Sequence, residues 1–185
     1  MKKFLILIIS LVMIMKFSNN VDASENRVET LKKIYSLTAH VEGGYFSEVY
    51  TAPFNQNDRA TAGSIYFLLA GKDVSHFHKI DCDEIWYYHE GCGLKVFVLQ
   101  NGKLEEFLLG KNTDEEQRAM VIIPAGAVFA AENLDKGGYT FVSCMTTPKF
   151  SYDGFKLVTT REFLNLYPQA TEKVLRLTYS EDSVQ

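Results

Sequence analysis

The sequence predicts an all-β fold, a sandwich or barrel of short strands with a helical segment at each end. Ten runs of strand-like composition follow Gly43-Gly44, at 45–51, 64–70, 75–80, 84–89, 94–100, 103–109, 119–124, 127–132, 139–145 and 155–159. Turn residues separate these runs, and Asn101-Gly102 favours a tight hairpin between two of them. Many short strands with frequent turns are typical of sandwiches and barrels.

Helical periodicity is confined to the two ends of this region. Val28, Leu31, Ile34 and Leu37 recur at helical spacing and predict a helix over 26–37. After the last strand, REFLNLY predicts a second helix, and Pro168 is expected to open a third as a first-turn proline. The chain of 185 residues is 46% hydrophobic and contains no linker or repeat, so we expect one domain over 24–180.

The N-terminal segment has the features of a secretory signal. Lys2 and Lys3 precede an apolar run at 4–15, and Val21-Asp22-Ala23 places small residues before a cut after Ala23. The run is short for a membrane span, although an uncleaved anchor is the alternative. We therefore expect a signal peptide at 1–23 and a secreted or periplasmic product without stable membrane association once the signal is removed. The net charge of −4 and the lack of a basic patch argue against nucleic acid as a partner.

Three cysteines, Cys82, Cys92 and Cys144, raise the question of a disulfide. The predicted strand between the first two would separate them by roughly 33 Å, whereas a disulfide needs Cα atoms within about 7 Å. We expect no bond between Cys82 and Cys92. Cys144 can pair with either, or all three can be free buried thiols, which is the favoured reading.

The segment SHFHKIDCDEIWYYHEG, residues 75–91, carries a candidate metal site. Strand alternation predicts that His76 and His78 point the same way, and Glu84 faces them if the next strand is the hairpin partner. Two imidazoles and a carboxylate suit a divalent transition metal such as Fe, Mn, Ni or Zn. The alternative is that the histidines line a polar pocket or a solvated sheet face. His89 is expected on the opposite face.

Aromatic residues near this segment have two readings. Trp86 and Tyr88 should share the face of Glu84, where they would form the wall of a sugar or nucleobase pocket or simply part of the core. Tyr45 and Tyr66 carry hydroxyl groups that can reach a substrate.

Two motifs of this chain resemble those of the cupin superfamily. The first motif is G-(x)5-H-x-H-(x)3,4-E-(x)6-G, and its positions fall on Gly71, His76, His78, Glu84 and Gly91. The gap between Gly71 and His76 is one residue shorter than in the motif, and the gap between His78 and Glu84 is one residue longer. The second is recognisable in VIIPAGAVFAAEN, where its ligand histidine falls on Phe129. The chain thus resembles a cupin with an incomplete set of metal ligands.

A narrower resemblance covers most of the chain. The segments that carry it are HVEGGYFSEVY (40–50), SIYFLL (64–69), DEIWYYHEG (83–91), IIPAGAVFAA (122–131) and LYPQATEKVLRLT (166–178). They are similar to the fifth cupin domain family, a former domain of unknown function related to RmlC. The resemblance implies a jelly-roll, or double-stranded β-helix, barrel with a central pocket and often a homodimer. It implies no established activity. Ser47 and Thr51 stand where that family often has basic residues, so a different ligand is expected if those groups bind an anion in relatives.

Three functions follow from these observations. The first, slightly favoured, is a metal-assisted or acid–base isomerase or epimerase acting on a small carbohydrate-like molecule. Its expected residues are the metal ligands His76, His78 and Glu84, the catalytic tyrosines Tyr45 and Tyr88, and the substrate contacts Tyr66, Trp86 and Phe129. The second is a module that binds a small ligand without turnover, and the third is a storage or scaffold protein.

Overall fold

The computed structural model describes residues 23–180 of the chain. The predicted signal peptide lies outside the described residues except for Ala23, which belongs to helix α1 at 23–34. No helix within 23–180 has the length and apolar character needed to cross a membrane.

Thirteen strands, two further α-helices and two short 3-10 helices, Thr113–Glu115 and Tyr152–Gly154, follow α1 in this part of the chain. The strands are β1 Thr38–Ala39, β2 Tyr45–Thr51, β3 Asn55–Gln56, β4 Arg59–Ala60, β5 Gly63–Ala70, β6 Val74–Lys79, β7 Asp83–Gly91, β8 Leu94–Gln100, β9 Lys103–Leu109, β10 Met120–Ile123, β11 Val128–Asn133, β12 Tyr139–Thr147 and β13 Lys156–Leu157. The helices are α2 Thr160–Leu166 and α3 Glu172–Leu175.

Two antiparallel sheets face each other and form a jelly-roll barrel. One has the strand order β1-β2-β5-β12-β7-β10 and the other the order β13-β6-β11-β8-β9. Strands β3 and β4 form a small separate hairpin. The predicted all-β class and jelly-roll barrel are confirmed.

Apolar side chains fill the barrel and both of its outer faces. The interior cluster includes Phe67, Leu69, Trp86, Val96, Ile123 and Phe129, all almost fully buried. Helices α2 and α3 cover the five-stranded sheet through Phe163 and Val174, and α1 covers part of the six-stranded sheet through Leu31. Burial of one such large side chain stabilises the fold by about 1.5–3 kcal/mol.

The end segments differ from the sequence prediction in their limits. Helix α1 ends at residue 34 rather than 37, because Ser36 adopts a φ of 53°, which a helix cannot continue. Helix α2 forms where predicted and is closed by a capping box between Thr159 and Glu162. Pro168 does not open a helix. It lies in a turn, and α3 begins only at Glu172.

Strand β6 contains a bulge that changes which of its side chains face the interior. Phe129 pairs with His78, but Ala131 pairs with Ser75, so two residues of β6 oppose one residue of β11. The extra residue shifts the alternation by one position. Ser75 and His78 therefore share the inner face, and Phe77 packs outside with α2. The expectation that His76 and His78 point the same way is wrong.

The three cysteines are free thiols in the structure. Strand β7 runs between Cys82 and Cys92, as expected from the sequence. Cys82 and Cys144 are buried in the barrel, and Cys92 is half-buried.

Candidate functional site

A cavity of about 280 Å³ opens into the barrel between the two sheets. Its walls are mainly apolar, with a group of polar and charged side chains on one side. The wall includes His40, Glu42, Phe46, Glu48, Phe67, His78, Glu84, Trp86, Cys144, Lys149, Phe150 and Tyr152.

The turn between β1 and β2 places Glu42 in this cavity. Gly43 has a φ of +107°, and a Cβ atom there would lie 2.1 Å from the carbonyl oxygen of Val74. Only glycine permits this close approach of the turn to β6. The contact is fixed by the His76 backbone N–H, which donates to the Glu42 carbonyl at 2.8 Å. The carboxyl of Glu42 is thereby directed inward, and the residue is 7% exposed.

The buried Glu42 carboxylate is surrounded by three polar side chains. The Ser75 hydroxyl donates to Oε1 at 2.8 Å, and Oε2 lies 3.3 Å from both His78 Nε2 and His40 Nδ1. Burial acts to raise the pKa of Glu42, but His78, His40 and Ser75 outweigh it and hold that pKa below its ordinary value. Glu42 is therefore ionised at neutral pH.

His78 is fixed on both sides of its ring. Its Nδ1 lies 2.7 Å from the backbone carbonyl oxygen of His76, and its Nε2 faces Glu42. Both nitrogens can donate to these oxygens only when the ring is protonated. The Phe129 ring packs against the imidazole with 4.0 Å between ring centroids, so Phe129 orients His78.

Glu84, on β7, is the second buried carboxyl of the cavity, and unlike Glu42 its surroundings favour the neutral form. Burial and the negative charge of Glu42 raise the pKa of Glu84 to about 8, and Trp86 and Cys144 oppose the rise only in part. Glu84 is therefore mostly protonated at pH 7. The Trp86 Nε1–H is buried beside this carboxyl and has no hydrogen-bond partner within residues 23–180.

A chain of polar groups connects Glu42 with the protein surface. His40 Nε2 lies 3.3 Å from the hydroxyl of Tyr152, which is 57% exposed. His40 Nδ1 lies 3.3 Å from Glu42. His40 directly precedes the turn after β1 and forms part of the cavity wall. The arrangement can carry a proton between the cavity and solvent.

Three of the predicted site residues line the cavity, namely His78, Glu84 and Trp86. Tyr88 lies on the same face of β7 as Glu84 and Trp86 but beyond the cavity, where its hydroxyl donates to the Gly91 carbonyl at 2.8 Å. Phe129 is in the core and touches His78 without lining the cavity. His89 is on the opposite face of the strand, as expected, 2.9 Å from the Ser143 hydroxyl.

The other predicted site residues point away from the cavity. Tyr45 and Tyr66 pack on the outside of the six-stranded sheet, in the cluster under α1. His76 Nδ1 lies 3.3 Å from the Leu177 carbonyl oxygen, and its ring meets the edge of Tyr179. The structure therefore does not bring these three residues together with Glu84.

The donor geometry does not fit the predicted metal site. His76 is separated from His78 by the bulge, and within residues 23–180 no three His, Cys, Asp or Glu side chains are grouped so as to hold a metal ion. The prediction of His76, His78 and Glu84 as one ligand set assumed regular alternation, which β6 does not have.

Sequence reasoning missed Glu42, whose carboxylate contacts both His40 and His78 in the cavity. It lies in a turn, where a carboxylate is ordinarily solvated. The available signal was the Glu-Gly-Gly sequence at 42–44, because two consecutive glycines with positive φ allow a turn to press against a neighbouring strand.

Comparisons with known proteins agree with this architecture. The family model described as "Cupin superfamily (DUF985)" matches residues 29–158. No curated protein matches the chain.

Solved structures also resemble the chain over most of its length. Protein SO0799 from Shewanella oneidensis is 32% identical, with a TM-score of 0.78, over 83% of this chain and 98% of that one. A hypothetical protein from Leishmania major is 29% identical, with a TM-score of 0.74, over 82% and 98% of the two chains. A cupin 2 conserved barrel domain protein from Rhodopseudomonas palustris, 14% identical with a TM-score of 0.51 over 76% and 84%, shares the fold. With a family model that matches most of its length and a jelly-roll barrel around a ligand-sized cavity, the chain belongs to the DUF985 family of the cupin superfamily.

Proposed function

We propose that the protein is an acid–base isomerase or epimerase that acts on a small polar carbonyl compound, such as a sugar derivative. The observation that carries the proposal is the pair of buried carboxyls in one cavity, with Glu42 ionised and Glu84 protonated at neutral pH. Two titratable groups whose environments move their pKa values apart are suited to serve as base and acid in one reaction.

Glu84 and Trp86 provide hydrogen-bond donors for a carbonyl oxygen. The protonated Glu84 carboxyl can donate its O–H, and the unpartnered Trp86 Nε1–H lies beside it. A carbonyl oxygen that accepts both would draw electron density from the adjacent carbon and make its C–H more acidic. Donors buried away from water also stabilise the negative oxygen that forms when that proton leaves.

Glu42 is placed to act as the base. Its carboxylate accepts the proton from the carbon next to the carbonyl, and the electrons of that C–H bond move to the carbonyl oxygen. His78 and His40 stand 3.3 Å from Oε2 and can share the proton. Return of a proton to the opposite face of the same carbon inverts that carbon. Where that carbon bears a hydroxyl, the carbonyl moves when Glu84 has protonated the former carbonyl oxygen, the hydroxyl gives up its O–H proton and the former carbonyl carbon takes up a proton.

The dimensions of the cavity limit the substrate. A volume of about 280 Å³ is at the small end of ligand sites, so a compound of monosaccharide size or less is expected. Phe46, Phe67 and Phe150 supply apolar faces for its C–H groups.

The proposal is tested by proton exchange. The protein is incubated in D₂O with a panel of aldoses and ketoses, and loss of the C–H signal next to the carbonyl is followed by NMR. Glu84→Gln removes the acid and is expected to slow exchange by at least about 100-fold. Glu106→Gln, which removes an exposed carboxylate paired with Lys95 on β8 and β9, is the matched control and should exchange at the wild-type rate.

Binding without turnover is the second candidate, because most of the cavity wall is apolar and aromatic. It would be supported by compounds that change Trp86 fluorescence without incorporating deuterium. Exchange at equal rates in the wild type and in Glu84→Gln would contradict the assigned acid.

A further inference from the structure

The mouth of the cavity holds a lysine whose charge is already neutralised. Lys149 Nζ lies 2.7 Å from Glu48 Oε1 and 2.8 Å from the Thr51 hydroxyl. The absence of a side chain at Gly63 makes room for the lysine stem, since a Cβ atom there would lie 2.7 Å from Lys149 Cγ. Glu48 and Lys149 are both partly exposed, in contrast to the buried Glu84 and Trp86.

No uncompensated cation faces the cavity among residues 23–180. Lys149 is the sole lysine or arginine in the described wall, and Glu48 balances it. The imidazoles of His40 and His78 face the Glu42 carboxylate. Phosphate groups are ordinarily bound by unpaired lysine or arginine side chains or by a series of backbone N–H groups, and this wall presents no such cations.

We infer that the cavity takes an uncharged polyhydroxy or hydroxy-carbonyl compound, and that Glu48 excludes phosphate esters by neutralising Lys149 at the mouth. The inference rests on the proposed function for the class of compound, and on the charges of the wall for its selectivity. Thr51 contributes directly, because its hydroxyl accepts a hydrogen bond from Lys149.

The single tryptophan of the chain, Trp86, reports on this cavity. Its fluorescence is titrated with iodide, caesium and acrylamide at constant ionic strength. These small quenchers are anionic, cationic and neutral, so they measure the charge preference of the path to Trp86 without a known ligand. We expect acrylamide and caesium to quench more strongly than iodide.

The decisive variant is Glu48→Gln, which preserves shape and releases the charge of Lys149. In this variant the ratio of the iodide quenching constant to the acrylamide quenching constant should rise about threefold, because the substitution removes one partly exposed ion pair. Glu106→Gln changes the net charge of the chain equally but lies on the other sheet, on β9, and should leave the ratio unchanged. A ratio that is equal in Glu48→Gln and Glu106→Gln would overturn the inference, as would no quenching of Trp86 by any of the three agents.

A second measurement addresses the ligand class with ribose and ribose 5-phosphate, each followed by Trp86 fluorescence at concentrations up to the limit of solubility. The wild type should bind ribose more tightly than ribose 5-phosphate, and Glu48→Gln should reduce this difference in affinity. Tighter binding of the ester by the wild type, or binding of neither compound, would contradict the assignment. The proposed function is tested separately, because Glu84→Gln should slow deuterium exchange by at least about 100-fold and leave the iodide-to-acrylamide ratio unchanged.

Discussion

The pKa of Glu84 makes a quantitative prediction about stability. In the folded protein this carboxyl releases its proton near pH 8, against an ordinary value of 4.5. The folded state therefore holds one more proton than the unfolded state between these pH values, and this group lowers the free energy of unfolding as pH rises from about 4.5 to 8. Above pH 8 both states are ionised and the effect stays constant.

The size of the effect follows from about 1.36 kcal/mol for each pH unit between the two pKa values. The contribution of Glu84 destabilises the folded state by about 1 kcal/mol at pH 5, about 3 kcal/mol at pH 7 and about 5 kcal/mol at pH 9. Glu84→Gln keeps the shape of the neutral acid and cannot ionise. The free energy of unfolding of the variant should therefore exceed that of the wild type by these amounts at each pH, in addition to any pH-independent difference caused by the amide.

Denaturant unfolding of both proteins at pH 5, 7 and 9 measures this difference, with Glu106→Gln as the exposed control. The opposite pH dependence that Glu42 contributes is present in both proteins and cancels. A difference between Glu84→Gln and the wild type that changes by less than about 1 kcal/mol from pH 5 to pH 9 would refute the assignment of a protonated Glu84 at neutral pH.

Three further predictions concern other parts of the molecule. Because the pKa of Glu42 is held below its ordinary value of 4.5, the ionised carboxylate stabilises the fold at pH values above 4.5. Glu42→Gln should therefore lower the free energy of unfolding by about 3–5 kcal/mol at pH 7. The same substitution should lower it by less at pH 4. Gly43→Ala should cost more than about 2 kcal/mol because it adds a clash with backbone to a positive φ, whereas Gly102→Ala, also at positive φ but in open space, should cost about 1 kcal/mol in the same assay. Cys92 should react with a thiol reagent well before the two buried thiols, so a native protein that releases all three equivalents at one rate would contradict the described packing.

The strands of the barrel could be predicted because local composition determines them. Strands β2, β8 and β9 have the predicted limits, and the Asn101-Gly102 hairpin joins the last two as expected. The hairpin of β3 and β4 was missed because its residues are polar and depend on two positive φ angles, at Asn57 and Asp58, for their turn.

The candidate site was predicted only in part. Glu84 and Trp86 lie on a regular strand, so alternation placed them correctly. His76 could not be placed, because the bulge in β6 results from its pairing with β11 and has no local sequence signal. Glu42 could not be identified as buried because its environment comes from Ser75 and His78, which are distant in sequence.

The bulge in β6 also bears on association between chains. Beyond its short pairing with β13, β6 would present free backbone groups at the edge of its sheet, where another extended chain could add as a strand. Two distant carbonyls occupy these positions, since His76 N–H donates to Glu42 and Phe77 N–H donates to Leu177 at 2.8 Å each. The C-terminal segment around Leu177 thus occupies backbone positions of β6 at which another extended chain could otherwise add as a strand.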